Sequence, residues 1–269
     1  MDKQPKIGLA LGSGGPKGLA HIGVIKVLEE NNIPIDFIAG SSIGAMVGGF
    51  YAGTKDIKQV EKIANDVDWK LIFSLLDPSF QQGLLGGEKV KNFIENYLNG
   101  INFENLKIPL SVITTDIKTG ESVSINKGGV ASAIRTSISF PLVFKPVKRA
   151  GRLLADGGLS LPIPVEIVRK MGAELTIAVN LDADYFINGN NGNANFGFYK
   201  IANNSINLLR HHLASYNIQN ADVVIAPQSG NLHWNNFLGG KNIISAGEKA
   251  AKQVLPQLKK LMSQKSKGE

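Results

Sequence analysis

The chain has 269 residues, enough to bury a core of its own, and we expect one α/β domain rather than two smaller ones. Its composition, 43% hydrophobic and 19% charged, is that of an ordinary folded protein, and the lack of cysteine excludes disulfides, thiol catalysis and zinc–thiolate sites. The formal net charge of +7 favours contact with an anionic partner.

The first residues of the chain lead directly into a predicted strand, without the basic segment and apolar run of a secretory leader. No apolar stretch approaches the ~18 residues that a membrane span needs. We therefore expect a cytoplasmic location.

The first predicted unit is a strand, a glycine-rich loop and a helix. Ile7–Leu11 is the apolar strand, residues 12–18 form the loop, and the helix covers residues 19–31. The loop does not match a nucleotide-binding motif, because the third Gly of G-x-G-x-x-G is displaced, with Lys at position 17, and no Walker Gly-Lys-Ser/Thr follows. The backbone N–H groups of Gly14 and Gly15 at a helix N-terminus are suited to hold an oxyanion.

The second predicted unit is a strand at 36–40 that runs into Gly40-Ser41-Ser42-Ile43-Gly44 and a helix of small residues at 43–52. This G-x-S-x-G pattern predicts a nucleophile elbow, a sharp strand-to-helix turn that presents the Ser42 hydroxyl at a helix N-terminus. Taken alone, the pentapeptide fits an ordinary glycine-rich turn equally well.

Strands and helices alternate along the rest of the chain. The further predicted helices lie at 55–66, 88–98, 130–136, 164–171, 197–217 and 243–264. The further predicted strands lie at 110–115, 121–125, 152–155, 175–181 and 222–226. This order predicts a three-layer α/β/α fold with a mostly parallel central sheet.

Two stretches between these elements are irregular. Residues 69–87 are apolar and interrupted by glycine, which favours core packing, with a cap over the site as the alternative. Residues 188–195 are polar and of low complexity, which predicts a loop without a functional role.

Much of the positive charge is concentrated in the last predicted helix and the tail. The residues concerned are Lys249, Lys252, Lys259, Lys260, Lys265 and Lys267. A solvated helix face explains them, and peripheral contact with an anionic membrane surface is the alternative. No motif for nucleic-acid binding accompanies them, so we expect no nucleic-acid partner.

A nucleophilic serine needs a base and a place where negative charge can develop. Asp156 ends a predicted strand in Asp156-Gly157-Gly158 and is a candidate base for Ser42, although an isolated Asp-Gly-Gly also fits a simple turn. A Ser-Asp-His triad would instead use one of the downstream histidines, His211, His212 or His233. None of these lies in a predicted loop with a matching partner.

Three blocks of the chain, in this order, resemble the patatin-like phospholipase family. They are Gly12-Ser-Gly-Gly-Pro-Lys-Gly18 leading into a helix that contains His21, then Gly40-Ser-Ser-Ile-Gly44, then Asp156-Gly-Gly158. Residues 115–120 and 137–146 are also similar, so the resemblance covers about residues 6–182. Lys17 stands where the family most often has Arg, and Pro16 where it often has a small residue.

The resemblance implies lipid acyl hydrolysis by a Ser-Asp dyad, with Ser42 as nucleophile, Asp156 as base and an acyl-enzyme intermediate. The implied oxyanion hole comprises Gly14, Gly15, Lys17 and Gly18, of which we place Gly14 and Gly15 first because Pro16 has no N–H. The glycines that support these motifs are Gly12, Gly40, Gly44, Gly157 and Gly158.

The resemblance further implies a patatin-like fold, a phospholipid or neutral acyl lipid as substrate, and neither a cofactor nor a metal. We expect one domain over residues 1–269, with a motif-bearing core and C-terminal helices at about 197–264. The dyad predicts that all four histidines, including a half-buried His21, are dispensable. The alternatives are a Ser-His-Asp esterase and a non-enzymatic regulatory module on a patatin-like fold.

Overall fold

In the residues that the structure describes, the central sheet contains eight strands, and its core strand β1 is buried on both faces. The computed structural model describes residues 4–66, 87–186, 197–228 and 240–266. The strands are β1 (Ile7–Leu11), β2 (Phe37–Ser41), β3 (Leu110–Asp116), β4 (Ser122–Ile125), β5 (Val147–Arg149), β6 (Arg152–Asp156), β7 (Leu175–Val179) and β8 (Val223–Ile225). The expectations for 69–86 and 188–195, and the candidate His233, lie outside the described residues.

The helices alternate with these strands, as the sequence predicts. They are α1 (Ala20–Glu30), α2 (Ile43–Thr54), α3 (Ile57–Asp66), α4 (Glu88–Leu98), α5 (Val130–Ser137), α6 (Val165–Lys170), α7 (Phe198–Asn217) and α8 (Gly240–Ser266). None of the helices within the described ranges is both long and apolar enough to cross a bilayer.

The order of the strands is β5-β6-β3-β2-β1-β7-β8, and β4 also pairs with β3. The pairs β3–β2, β2–β1, β1–β7 and β7–β8 are parallel, whereas β4 and β6 run antiparallel to β3. The sheet is therefore parallel through its centre, with an antiparallel part beyond β3.

Side chains of β1 alternate between two apolar cores, one on each face of the sheet. Leu9 and Leu11 pack in the larger core with residues of α1, α2 and α8. Ala10 lies in the smaller core with Val168 of α6 and Ala214 of α7. Helices thus cover both faces, and the predicted three-layer α/β/α fold with a mostly parallel centre is confirmed.

Several boundaries differ from the prediction. A 3-10 turn at Gly15–Leu19 precedes α1, with Pro16 at its start, where the missing N–H of proline is tolerated. The helix predicted from residue 164 begins at Val165, and the helix predicted from 243 begins at Gly240. The short strand β5 was not predicted, since its sequence Val147–Arg149 is mostly charged and partly exposed.

Candidate active site

Ser42 lies between the end of β2 and the start of α2, in a backbone conformation that non-glycine residues rarely adopt. Its φ is 55° and its ψ is −121°. A Cβ atom at Gly40 would lie 2.5 Å from the backbone N of Ala45, and one at Gly44 would overlap the carbonyl of Leu11. Both glycines of the pentapeptide are therefore required by close backbone contacts, as in a nucleophile elbow.

Asp156 is hydrogen-bonded to Ser42, although 114 residues separate them in the chain. The Oγ of Ser42 donates to Oδ2 of Asp156 over 2.6 Å, and the N–H of Gly158 donates to Oδ1 over 2.8 Å. Strand β3 brings the two together, because Ile113 pairs with Ser41 and the next residue, Thr114, pairs with Asp156.

Burial raises the pKa of the Asp156 carboxyl from its usual 3.8 to about 6. The hydrogen bonds from Ser42 and the Gly158 N–H, and the positive charge of Arg210, act in the opposite direction. The carboxyl is therefore mostly ionised at neutral pH, yet more basic than an exposed aspartate. A base with a pKa near the working pH is well matched to proton transfer.

The glycine loop after β1 is anchored at its first residues, and within the described part of the chain its next N–H groups have no acceptor. Gly12 N donates to the Val179 carbonyl over 3.2 Å, and Ser13 N donates to the Pro162 carbonyl over 2.9 Å. Among the hydrogen bonds of the described residues, none is donated by the backbone N–H of Gly14 or Gly15. These two groups can therefore donate to a ligand.

The loop lies beside the elbow, and the Asp-Gly-Gly turn lies beside the loop. A Cβ at Gly18 would overlap the side chain of Ile43, the residue after Ser42. A Cβ at Gly157 would overlap the carbonyl of Ile113, and one at Gly158 would lie 2.8 Å from Ser13 Oγ. The three sequence blocks thus meet at one place in the fold.

The side chain of Lys17 points to the segment that follows β7. Its Nζ donates to Oδ1 of the buried Asp184 over 2.6 Å and to the Leu181 carbonyl over 3.4 Å. The lysine thereby ties the glycine loop to that segment through its charge, while Gly18 and Lys17 lie within the 3-10 turn. Asp184 was not identified from the sequence as part of the site. The one feature that could have indicated it is its position after a predicted strand of the same parallel sheet.

A second acid in that segment, Asp182, binds helix α7. Arg210 donates to both carboxylate oxygens of Asp182, over 2.8 Å and 2.7 Å. Both side chains are largely buried, so the two-point contact fixes α7 against the segment that follows β7. Neither residue carries a local sequence signal that would have paired them.

No histidine of the described residues is hydrogen-bonded to Ser42 or Asp156. His21 is fully buried, which corrects the expectation of a half-buried side chain, and its Nε2 donates to the Gly12 carbonyl over 2.8 Å. Burial lowers the pKa of His21 to about 4, against the effect of that bond. His211 Nδ1 lies 2.8 Å from the Asp182 carbonyl, and His212 is exposed.

The part of the chain that the structure describes contains no cluster of side chains that could bind a metal ion. Over those ranges no group of three or more His, Asp or Glu side chains could hold a metal ion.

Comparison with known proteins gives a family, relatives and structural neighbours. Residues 9–169 match the model of the family described as patatin-like phospholipase. The chain is 42% identical over 179 residues to an uncharacterised NTE family protein of Mycobacterium bovis, covering 66% of this chain and 49% of that protein. It is 32% identical over 184 residues to patatin-like phospholipase domain-containing protein 6 of Mus musculus, covering 65% of this chain and 13% of that protein.

The fold is similar to that of VipD from Legionella pneumophila, with a TM-score of 0.60 and 16% sequence identity over 95% of this chain and 67% of that one. The chain spans about half the length of the Mycobacterium relative and a much smaller share of the mouse protein.

Proposed function

The chain belongs to the patatin-like phospholipase family, and from that premise we propose that it is a lipid acyl hydrolase in which Ser42 is the nucleophile and Asp156 the base. The observation that carries this proposal is the 2.6 Å hydrogen bond from Ser42 Oγ to Asp156 Oδ2. The bond gives the hydroxyl proton an acceptor whose pKa is about 6.

In the first half-reaction, Asp156 takes the proton as Ser42 Oγ attacks the carbonyl carbon of an acyl ester. The negative charge that develops on the carbonyl oxygen is stabilised by the N–H groups of Gly14 and Gly15. In known hydrolases one such donor contributes roughly 2.7–4 kcal/mol to the transition state. The tetrahedral intermediate collapses to an acyl-Ser42 ester, and the alcohol leaves with the proton from Asp156.

In the second half-reaction, the oxygen of a water molecule attacks the carbonyl carbon of acyl-Ser42, and Asp156 takes a proton from that water. The intermediate releases the fatty acid, and the proton returns to Ser42 Oγ. No histidine is needed in either step, because Asp156 is ionised near neutral pH and buried beside the hydroxyl.

We further propose that the substrate is a phospholipid or a neutral acyl lipid and that the chain acts as one domain. Family membership supports the substrate class. The domain proposal is supported by the sheet, in which β1 pairs with both β2 and β7.

The test compares Ser42→Ala with the parent chain and with Ser124→Ala, an exposed serine on β4. We expect Ser42→Ala to lose about a thousandfold or more in p-nitrophenyl ester hydrolysis and to lose labelling by a fluorophosphonate probe. Release of fatty acid from a panel of phospholipids and neutral lipids would fall with it. Activity of Ser42→Ala equal to that of Ser124→Ala would disprove the nucleophile, and an unlabelled, inactive parent chain would favour a non-enzymatic module.

A further inference from the structure

Helix α7 presents large apolar side chains to solvent along one side. Phe198 is 84% exposed, Leu209 64% and Tyr216 70%. With Ile201 and Leu208, also exposed, these residues lie within roughly a 100° arc of the helix, at 100° per residue. We call the five residues the α7 apolar face.

The opposite side of α7 is held to the protein by polar contacts and by the packing of Ala214 in the smaller core. Arg210 binds Asp182 at two points, and Asn217 Oδ1 accepts from the N–H of Ile163 over 3.3 Å. Ala214 is the residue of α7 that is buried. A surface helix normally turns its apolar side toward the core, so the outward orientation here marks an interaction surface.

This helix lies next to the proposed dyad. It contacts the turn Gly157–Leu159 that directly follows Asp156. Its Arg210 is close enough for its charge to lower the pKa of Asp156. Whatever binds the α7 apolar face is therefore separated from the Asp156 turn by roughly one helix diameter, about 10 Å.

We propose that the α7 apolar face docks on an anionic lipid bilayer and brings the dyad to the membrane surface. The inference rests on the proposed function, because the lipids that it names as substrates reside in bilayers. Large apolar and aromatic side chains on one side of a helix are the kind that insert at the boundary between head groups and acyl chains.

Charge distinguishes a bilayer from a second copy of the chain as the occupant. Helix α7 contains neither Asp nor Glu, so no carboxylate of the helix would repel anionic head groups, and the whole chain has a formal net charge of +7. Anionic head groups attract such a protein, whereas two copies of it repel each other. This surface differs from the lysine-rich C-terminal helix that the sequence pointed to.

The experiment measures binding to vesicles of phosphatidylglycerol and phosphatidylcholine, and to vesicles of phosphatidylcholine alone, by sedimentation. The Ser42→Ala chain is used so that lipid is not consumed. Adding Phe198→Ser and Leu209→Ser should weaken partitioning to the anionic vesicles about tenfold or more. The matched control adds Ile117→Ser to the Ser42→Ala chain. Ile117 directly follows β3 and is 46% exposed, and this control should bind vesicles as the Ser42→Ala chain does.

In the chain with Ser42 intact, Phe198→Ser with Leu209→Ser should keep hydrolysis of a soluble p-nitrophenyl ester but lose about tenfold with vesicle lipids. Equal vesicle binding by the changed and unchanged chains would overturn the proposal, as would an unchanged chain that does not bind anionic vesicles. A dimer that becomes a monomer on substitution, with vesicle binding unaltered, would assign the face to a second copy. Lack of soluble-ester hydrolysis in the unchanged chain would instead contradict the proposed function.

Discussion

Ser137 binds the backbone of Ser42: the N–H of Ser42 donates to Ser137 Oγ over 2.8 Å, and Ser137 Oγ donates to the carbonyl of Ile113 over 2.5 Å. The last residue of α5 thereby fixes the elbow to strand β3. Because the N–H of Ser42 is used in this way, the oxyanion donors of the proposed mechanism come from elsewhere, namely the loop with Gly14 and Gly15.

Removing this support should affect both stability and turnover. Ser137→Ala removes the acceptor that the fully buried Ser137 provides to the half-buried Ser42 N–H, which we expect to cost about 1–3 kcal/mol in the free energy of unfolding. We expect kcat to fall about tenfold while KM changes little, because the change shifts the elbow but removes no group that is proposed to bind the substrate. Urea denaturation and ester kinetics measure the two effects, and an unchanged kcat would show that Ser137 does not position Ser42.

The pH dependence of hydrolysis should follow the ionisation of Asp156. A base must be deprotonated to act, so kcat/KM should fall about tenfold per pH unit below a pKa of about 6 and level off above it. The measurement is kcat/KM for a soluble ester between pH 4.5 and pH 8 at constant ionic strength. A rate that stays constant down to pH 4.5 would contradict a base with this pKa.

The same carboxyl should make the folded protein less stable at high pH. Its pKa is 3.8 when exposed and about 6 when folded, so between these values the folded state binds more protons and unfolding becomes easier as the pH rises. The full loss in the free energy of unfolding, about 3 kcal/mol, is present above pH 6 and absent below pH 4.

Asp156→Asn removes that cost while keeping groups that can accept from Gly158 N–H and donate to Ser42 Oγ. We expect the inactive variant to exceed the parent chain in the free energy of unfolding by up to about 3 kcal/mol at pH 8, with a smaller difference near pH 4. Urea denaturation at both pH values tests this. A variant less stable than the parent at pH 8 would mean that burial does not disfavour the charged carboxyl.

The histidines should divide into dispensable residues and one that supports the site. His211→Ala, His212→Ala and His233→Ala should keep soluble-ester hydrolysis within a few-fold, since the proposed mechanism uses no imidazole. A loss of about a thousandfold in any of them would instead identify a triad.

His21→Phe should behave differently, which revises the expectation that every histidine is dispensable. The change removes the donor to the buried Gly12 carbonyl and should cost about 1–3 kcal/mol in stability. We expect kcat to fall with it, because the loop that starts at Gly12 carries Gly14 and Gly15. The pH profile should remain that of Asp156, since His21 is buried in its neutral form.

The sequence could predict those parts of the site whose geometry is set by residues close to them. The elbow was recognisable because Gly40 and Gly44 are required by close contacts within a few residues of Ser42 or with the adjacent strand β1. The alternation of strands and helices was recognisable because the hydrophobic period changes along the chain. The pairing of Ser42 with Asp156 spans 114 residues, so its position at the end of a predicted strand made Asp156 a candidate base, and the resemblance to a family singled it out.

The parts that were missed depend on contacts between distant segments. Lys17 binds Asp184 across 167 residues, and Arg210 binds Asp182 across 28. An isolated Asp or Arg looks the same in sequence whether it is solvated or buried against a partner. Ser137 belonged to a block that had been noticed, but its hydroxyl bridge to Ser42 required the fold.

The place of β1 in the sheet has a consequence for where this protein can be divided. The family match ends at residue 169, but β1 pairs on one side with β7, Leu175–Val179, which lies beyond that point. A fragment cut at the end of the match would expose a row of unpaired N–H and C=O groups along Ile7–Leu11, an entirely apolar and otherwise buried strand. Such an open edge is a template for self-association, so the shortest fragment worth producing must retain β7 and its neighbour β8 even though the family match ends before both.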